Sequence, residues 1–271
     1  MLSYELLLKF VQNLILSLKI MTKVYNIEKS MTCPLCDGSD FKRYAHKREG
    51  LICIKLEQCD KCGLVIQSPR LTNESLKQYY THEYRLNIKK KDIKKTEPLF
   101  QRGLRRGKYI SQYLIDHEID IVNKAVYEIG CGYGGILAYF SSMGCQVGGC
   151  DLSPTSVEYG KHKGLALENG DIQCFINLSV TPDIIILSHV LEHISSPLTF
   201  LNNIKKKIKK GSILYIEIPG LNNPQIRLTR SIQIGHLMYF NLDTLRAMAE
   251  SVGFNFLYGN EVVQAVFKNG K

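Results

Sequence analysis

No window of this sequence is apolar for long enough to span a bilayer. Residues 2 to 21 come nearest, with Leu2, Leu6, Leu7, Leu8, Phe10, Val11, Leu14, Ile15, Leu16, Leu18 and Ile20, but Glu5, Lys9 and Lys19 interrupt them. No small-residue cleavage pattern follows, which speaks against a secretory signal. Residues 1–30 are therefore expected to form an amphipathic helix packed on the body or on another subunit, or an upstream extension. Nothing else directs export, so a cytoplasmic location with reduced thiols is expected. Internal repeats and low-complexity segments are also missing, which excludes a solenoid.

What is present suffices for one full α/β domain and a small module: 271 residues, 45% of them hydrophobic. The formal charge of +10 is compatible with an anionic partner such as nucleic acid. Much of it lies in Lys89 to Lys91, Lys94 with Lys95, and the run from Lys205 to Lys210. That last run closes an expected helix, where cations suit the helix dipole, so the charge reads as solvated surface.

Four of the nine cysteines are organised. Cys33 with Cys36 and Cys59 with Cys62 form two C-x-x-C knuckles with 22 residues between them, the spacing of a zinc ribbon. Gly38 and Gly63 follow the knuckles and can relieve their turns. Residues 51 to 56 alternate as a strand leading to the second pair. Four thiolates leave no open position for water, so a Zn2+ held there is expected to be structural, stabilising a module too small for its own core. Two disulfides are the competing arrangement, disfavoured because Cys53, Cys131, Cys145, Cys150 and Cys174 read as single packed thiols. Residues 31–70 are assigned to this module and 71–98 to a helical linker, with a helix capped near Thr72 or Asn73 and a polar connector from 82 to 96.

The glycine pattern carries the functional reading. Glu128, Gly130, Gly132 and Gly134 follow a β-like run at 125–127 and open a helix, so the backbone can approach a ligand closely beside unpaired helix N–H groups. A second strand from Gln146 ends at Asp151, 21 residues beyond Gly130, where a carboxylate can bind ribose hydroxyls. The series continues through Asn169 to Asp171 and through residues 183–193, Asp-Ile-Ile-Ile-Leu-Ser-His-Val-Leu-Glu-His.

In that order these elements resemble the class I S-adenosylmethionine-dependent methyltransferases over residues 99–271. The resemblance implies a Rossmann-like α/β sheet, with the glycine loop against the methionine part of the cofactor, Asp151 at the ribose and Asp171 facing the adenine. The cofactor-binding set it suggests is Glu128, Gly130, Cys131, Gly132, Gly134, Asp151, Leu152, Asp171, Ile172, Ser188 and His189. A nicotinamide-binding fingerprint would need glycine at 135, and Gly135 is present, so the loop alone does not separate the two. Downstream, helices are expected over 135–143, 153–162, 197–210 and 242–251, the last capped by Asn241 and ended by Gly253. Buried strands are expected over 183–188 and 213–218, with a closing hairpin turning at Gly259 and Asn260. A helix over 101–116 precedes the first strand, with Arg102, Arg105 and Arg106 read as surface.

Methyl transfer from a sulfonium requires alignment and, for a hydroxyl or acidic carbon, a base. His236 is the preferred base, His189 the next, and His193 with Glu192 is expected to order the turn. Residues 189–193 also match the inverted zinc-protease pattern H-x-x-E-H, which demands a helix where the preceding residues read as strand. The sequence lacks the Asn/Asp-Pro-Pro-Tyr element of enzymes that methylate exocyclic nitrogens. A zinc module ahead of such a domain is similar to sugar C-methyltransferases, which carry a further domain beyond the point where this sequence stops, and to ribosomal RNA guanine methyltransferases. No interleaving of arginine and aromatics suited to stacked bases is evident. The expected acceptor is a small-molecule sugar, nucleotide-sugar or glycan intermediate of polysaccharide biosynthesis, with O- ahead of C-methylation. An RNA acceptor is the alternative, and a binding module on an inactive scaffold follows.

Overall fold

The computed structural model describes residues 25–49, 52–79, 93–225 and 227–270, with four further positions before residue 25. Most of residues 2–21, where an N-terminal helix is expected, and most of the polar connector fall outside the described residues.

The cysteine-rich part contains β1 (Ile27–Glu28), β2 (Phe41–Glu49), β3 (Ile52–Cys59), β4 (Val65–Gln67) and β5 (Arg70–Leu71), then α1 (Asn73–Gln78). Thr72 caps α1 by accepting from the Ser75 amide, as its position in the sequence suggests. In β3, Ile54 and Leu56 are buried while Cys53 and Lys55 are exposed, so the alternation read from sequence is the alternation observed.

The long helix α2 (Ile93–Asp116) leads into β6 (Ala125–Ile129), α3 (Gly135–Ser142), β7 (Gln146–Asp151), α4 (Pro154–His162), β8 (Leu167–Asn169), α5 (Ile172–Ile176) and β9 (Ile184–Ser188). After these come α6 (Pro197–Lys207), β10 (Ile213–Glu217), α7 (Leu228–Ser231), β11 (Met238–Tyr239), α8 (Leu242–Ser251), β12 (Phe254–Asn260) and β13 (Gln264–Asn269). Seven strands form one sheet in the order β12-β13-β10-β9-β6-β7-β8. Strands β8, β7, β6, β9 and β10 are parallel, and only β13 runs against its neighbours. This is a mixed α/β, Rossmann-like sheet with its order reversing between β6 and β9, the place where such sheets open a crevice.

The continuous Ile and Leu of β9 and β10 are buried because helices cover both faces. α2 lies directly on α3: a Cβ on Gly103 would meet Gly135 Cα at 2.8 Å, and one on Gly135 would meet the Phe100 carbonyl at 2.3 Å. Gly135, which left a nicotinamide fingerprint open on sequence, is thus accounted for by this helix crossing. Asn241 caps α8 as expected, and Thr244 bonds back to it to complete a capping box. The hairpin turn lies at 261–263, later than expected, because Asn260 Oδ1 accepts from the amides of Val262 and Gln264 while Gly259 stays paired with Ala265.

The cysteine-rich part is stitched to the large sheet. β11, from the loop after β10, pairs antiparallel with β4 and completes a four-stranded sheet, β11-β4-β3-β2. One apolar cluster runs without a break from Cys33, Cys59 and Leu64 through Met238 and Phe240 to Ile216 and Leu187. A second joins Ile54, Leu56 and Val65 to Ile232, Ile234 and Leu237. Among the described residues no helix is long and apolar enough to cross a membrane.

Candidate functional site

The loop between β6 and α3 turns through three left-handed glycines, Gly130, Gly132 and Gly134, at φ 78°, 53° and 78°. The amides of Gly130 and Cys131 both reach the Cys150 carbonyl, at 2.7 and 3.0 Å, which fixes the loop to the end of β7. Gly132 differs from its neighbours in facing open space: nothing lies within 4 Å of where a Cβ would stand. At Gly130, by contrast, a Cβ would sit 2.5 Å from Val190 Cγ2, so the turn after β9 closes over the loop.

Two carboxylates face this bend. Asp151, at the end of β7, accepts from the Gly132 amide at 2.9 Å through Oδ2 and from the Ser153 amide at 2.7 Å through Oδ1. These bonds aim it across the glycine loop. Glu128 is buried, and its Oε2 has no hydrogen-bond partner. Burial, and then the neighbouring Asp151 charge, push its carboxyl well above the usual range. The pair suits a cationic, hydroxyl-bearing ligand, since a cation would compensate Glu128 and a diol would use Asp151. Asp171 caps α5 by accepting from the Gln173 amide at 2.9 Å, beside half-buried Ile172, and the preceding loop leans on β7 through Gly170 N to Asp151 O, 3.0 Å. Leu152 is 39% exposed next to Asp151, an apolar surface open to a flat ligand group, and Cys131 is buried beneath the loop.

At the carboxyl end of β9, Ser188 is half-buried and His189 adopts a left-handed φ of 56°, unusual for a residue with a Cβ. Its amide donates to the Glu217 carbonyl at 2.7 Å. The next turn is a short 3-10 helix, Leu191–His193, so no α-helix crosses 189–193 and the H-x-x-E-H reading fails on backbone geometry. His189 Nε2 lies 3.0 Å from Arg106 Nη2; arginine only donates, so Nε2 carries the lone pair and Nδ1 the proton. Nδ1 points at Glu192 Oε1, 3.4 Å away. Glu192 is 2% exposed, and although burial opposes its ionisation, the adjacent His193 and His189 hold its carboxyl below the usual range.

His193 Nε2 is 3.7 Å from Glu192 Oε1, and its Nδ1 is 2.8 Å from the Gly235 carbonyl. His236 stands edge-on to His193, 4.8 Å between ring centroids, and burial lowers its imidazole to about 4. The structure therefore gathers all three candidate histidines around one buried carboxylate.

Arg106, read as surface, is instead bound to the buried Glu217 through both Nε and Nη2. Glu217 also accepts from Gln264 at 3.2 Å, and Gln264 from Tyr109 at 2.9 Å. The signal available in sequence was a lone acid at the end of a buried apolar strand, which needs a cation. Gln67 is likewise unannounced: it is fully buried, its amide nitrogen meets the carbonyls of His236 at 2.9 Å and Gln233 at 3.2 Å, and its backbone N donates to Leu237 O at 2.9 Å.

Cys33, Cys36, Cys59 and Cys62 converge, with Cys33 and Cys62, and Cys36 and Cys59, each 3.5 Å apart as thiols. Tetrahedral thiolates about 2.3 Å from a Zn2+ stand about 3.8 Å apart, so the cluster is close to the size required. Burial pushes the Cys33 thiol up to about 11, so a cation is needed to hold it as thiolate at neutral pH.

A family model described as a methyltransferase domain matches residues 100–258. Among curated proteins, a ubiquinone biosynthesis O-methyltransferase of Vibrio cholerae is 29% identical over 120 residues, covering 41% of this chain and 48% of that protein. A mitochondrial counterpart from Schizosaccharomyces pombe is 31% identical over 102 residues, covering 34% and 37%. The chain spans about half the length, or less, of these relatives. Among solved structures, magnesium protoporphyrin IX methyltransferase from Synechocystis aligns with TM-score 0.52 at 12% identity, covering 72% of this chain and 98% of that one. An amino pentose methyltransferase from Micromonospora echinaspora, solved with S-adenosylmethionine, gives 0.50 at 16%, covering 62% and 91%. These likenesses establish the fold.

Proposed function

The chain belongs to the methyltransferase-domain family, and from that premise we propose that it moves the methyl group of S-adenosylmethionine to a small-molecule hydroxyl. The observation that carries this reading is the open face of Gly132 set between Asp151 and the partnerless oxygen of Glu128. When bound, the cofactor supplies a methyl carbon on a sulfonium, open to in-line displacement. Asp151 would hold the ribose hydroxyls, Glu128 would face the cationic methionine portion, and Leu152, Asp171 and Ile172 would border the adenine. The catalytic unit in this reading is residues 99–271, and residues 31–70 carry a Zn2+ on Cys33, Cys36, Cys59 and Cys62.

His189 is assigned as the base, ahead of His236. Its Nε2 bears the lone pair, which Arg106 holds in the free protein and would yield to an acceptor hydroxyl, its Nδ1–H faces Glu192, and it stands next to the segment that closes over the glycine loop. His236, preferred on sequence, is 6% exposed and too weakly basic to accept a hydroxyl proton efficiently. O-methylation is favoured because the curated relatives are named O-methyltransferases. A sugar or glycan intermediate remains the proposed acceptor on the strength of the zinc module preceding the domain.

Calorimetry with S-adenosylhomocysteine tests the cofactor reading. Asp151→Ala should weaken binding roughly 10- to 100-fold, the scale of lost hydrogen bonds to a charged group, and Gly132→Arg should abolish it. Undiminished binding in both variants would refute the site. Labelled-methyl transfer to a nucleotide-sugar pool against total RNA then separates the acceptors, with RNA labelling that falls steeply with salt pointing to the nucleic acid. His189→Ala should lower kcat about 10²- to 10⁴-fold while cofactor still binds.

A further inference from the structure

We propose that Arg106 binds an oxyanion carried by the methyl acceptor, so that the acceptor is an acidic molecule, a sugar bearing phosphate or carboxylate, and not a neutral one. The inference rests on the function proposed above, with His189 as base. It is carried by the unused side of one guanidinium.

A guanidinium has five N–H donors in one plane and two edges on which an oxyanion is held by parallel bonds. In Arg106 the edge made by Nε and Nη2 is taken: Nε donates to Glu217 Oε2 at 2.7 Å, and Nη2 pairs with Oε1. The second Nη2 proton goes to His189 Nε2, 3.0 Å away. Nη1, with two protons, meets no partner among the described residues, and the side chain is 31% exposed. The Nη1–Nη2 edge is therefore held by a single imidazole nitrogen.

The mount is fixed and aimed. Glu217 is buried and accepts from Gln264 at 3.2 Å, and Gln264 accepts from Tyr109 at 2.9 Å, so a polar network sets the plane of the guanidinium. Gly103 sits over Gly135 at the start of α3, which begins at the glycine loop. One turn on, Arg106 stands at the carboxyl ends of the strands, on the β9 and β10 side. Asp151 and Gly132, to which the cofactor is assigned, lie at the ends of β7 and β6. An oxyanion on this fork therefore comes with the acceptor.

An acidic acceptor supplies the reason for Arg106 to leave His189. Phosphate and carboxylate match the planar fork and are its strongest acceptors. By taking Nη1 and Nη2, such a group draws the guanidinium off His189 Nε2 and frees the lone pair beside the acceptor's own hydroxyl. It also places a negative charge against the arginine as His189 takes up a proton, a step that a bare guanidinium 3.0 Å away would oppose.

Calorimetry on the full chain saturated with S-adenosylhomocysteine tests this, with glucose 1-phosphate, glucuronate and glucose as probes. At least one acid should bind about 10- to 100-fold more tightly than glucose, the scale of hydrogen bonds to a charged group, and the tighter of the two identifies the oxyanion. Arg106→Gln should erase the difference, and Arg106→Lys, which keeps the charge without the fork, should retain only part of it. In nitrogen-15 spectra the His189 Nε2 resonance should move on adding the tighter acid and stay in place with glucose. Because Arg106→Gln strands Glu217, the double variant with Glu217→Gln removes both partners and takes its place if the single variant fails to fold. Glucose bound as tightly as both acids, or a preference that survives in the Gln variants, would overturn the proposal. So would an affinity for S-adenosylhomocysteine that falls with Arg106→Gln as far as that for the acid, since the fork would then serve the cofactor's carboxylate. A wild type that takes up no S-adenosylhomocysteine counts against the cofactor reading, and the acid preference is then decided on the free chain.

Discussion

A carboxyl group enclosed at the end of a strand either keeps its proton or acquires a cation, and Glu128 faces that choice between Asp151 and the glycine loop. Its folded pKa is raised, first by burial and then by Asp151. Such a group contributes stability that is fully present below the unfolded value, near 4.3, and is lost as pH rises through the folded value. Glu128→Gln should therefore gain in Tm relative to wild type as pH increases from 5 to 8, while binding S-adenosylhomocysteine less tightly. A thermal scan across that range checks it; a difference that stays flat with pH would show that Glu128 is not protonated in the free protein. Of the candidate residues, those on the backbone motif were legible because glycine and a strand-terminal acid are required by geometry. The roles of Arg106 and Gln67 were not, since each answers to a partner more than a hundred residues away, Glu217 and His236 respectively.

The crossing of α2 and α3 shows how an element can be placed by what its residues lack. Gly103, Gly107 and Gly135 let the two backbones touch, and a Cβ on Gly107 would stand 2.7 Å from Tyr139 Cβ. Gly135→Val should overpack this crossing at a cost of about 1–3 kcal/mol or more, seen as a lower urea midpoint with an unchanged m-value. A midpoint equal to wild type would mean that the helices separate without penalty. The buried strands β9 and β10 and the capped helix α8 were readable from continuous apolar runs and from Asn241. Strand β2 was not, because its exposed Lys42, Arg43, His46 and Arg48 carry no apolar alternation, as suits the charged edge of a sheet. Strand β11 is two residues long, too short for any period, and exists only because β4 lies beside it.

Across the whole molecule, the cysteine-rich part and the histidine loop are one structure. Backbone pairing of Met238 with Ile66 and of Tyr239 with Val65, the Gln67 bonds, and Lys47 donating to Ile232 O at 2.7 Å all hold the segment that carries His236. Stripping the metal proposed on the four thiolates, or replacing Cys59 with Ser, should speed amide exchange at Leu237 to Tyr239 at least about tenfold, about 1.4 kcal/mol of local stability. Affinity for S-adenosylhomocysteine, which the proposed function places at Asp151 and Gly132, should change far less. Unaltered exchange in the metal-free protein would mean that the module is merely attached. The positive charge is partly spoken for: in the lysine run, Lys207 donates to the Leu178 carbonyl and Lys209 pairs with Asp183.

The most direct measurement is a crystal structure of the chain with S-adenosylhomocysteine. The account predicts ribose hydroxyls on the Asp151 carboxylate, the thioether carried over Gly132, and the amino group towards Glu128. Density for the nucleoside anywhere else, or the Gly132 face filled by protein on binding, would contradict it.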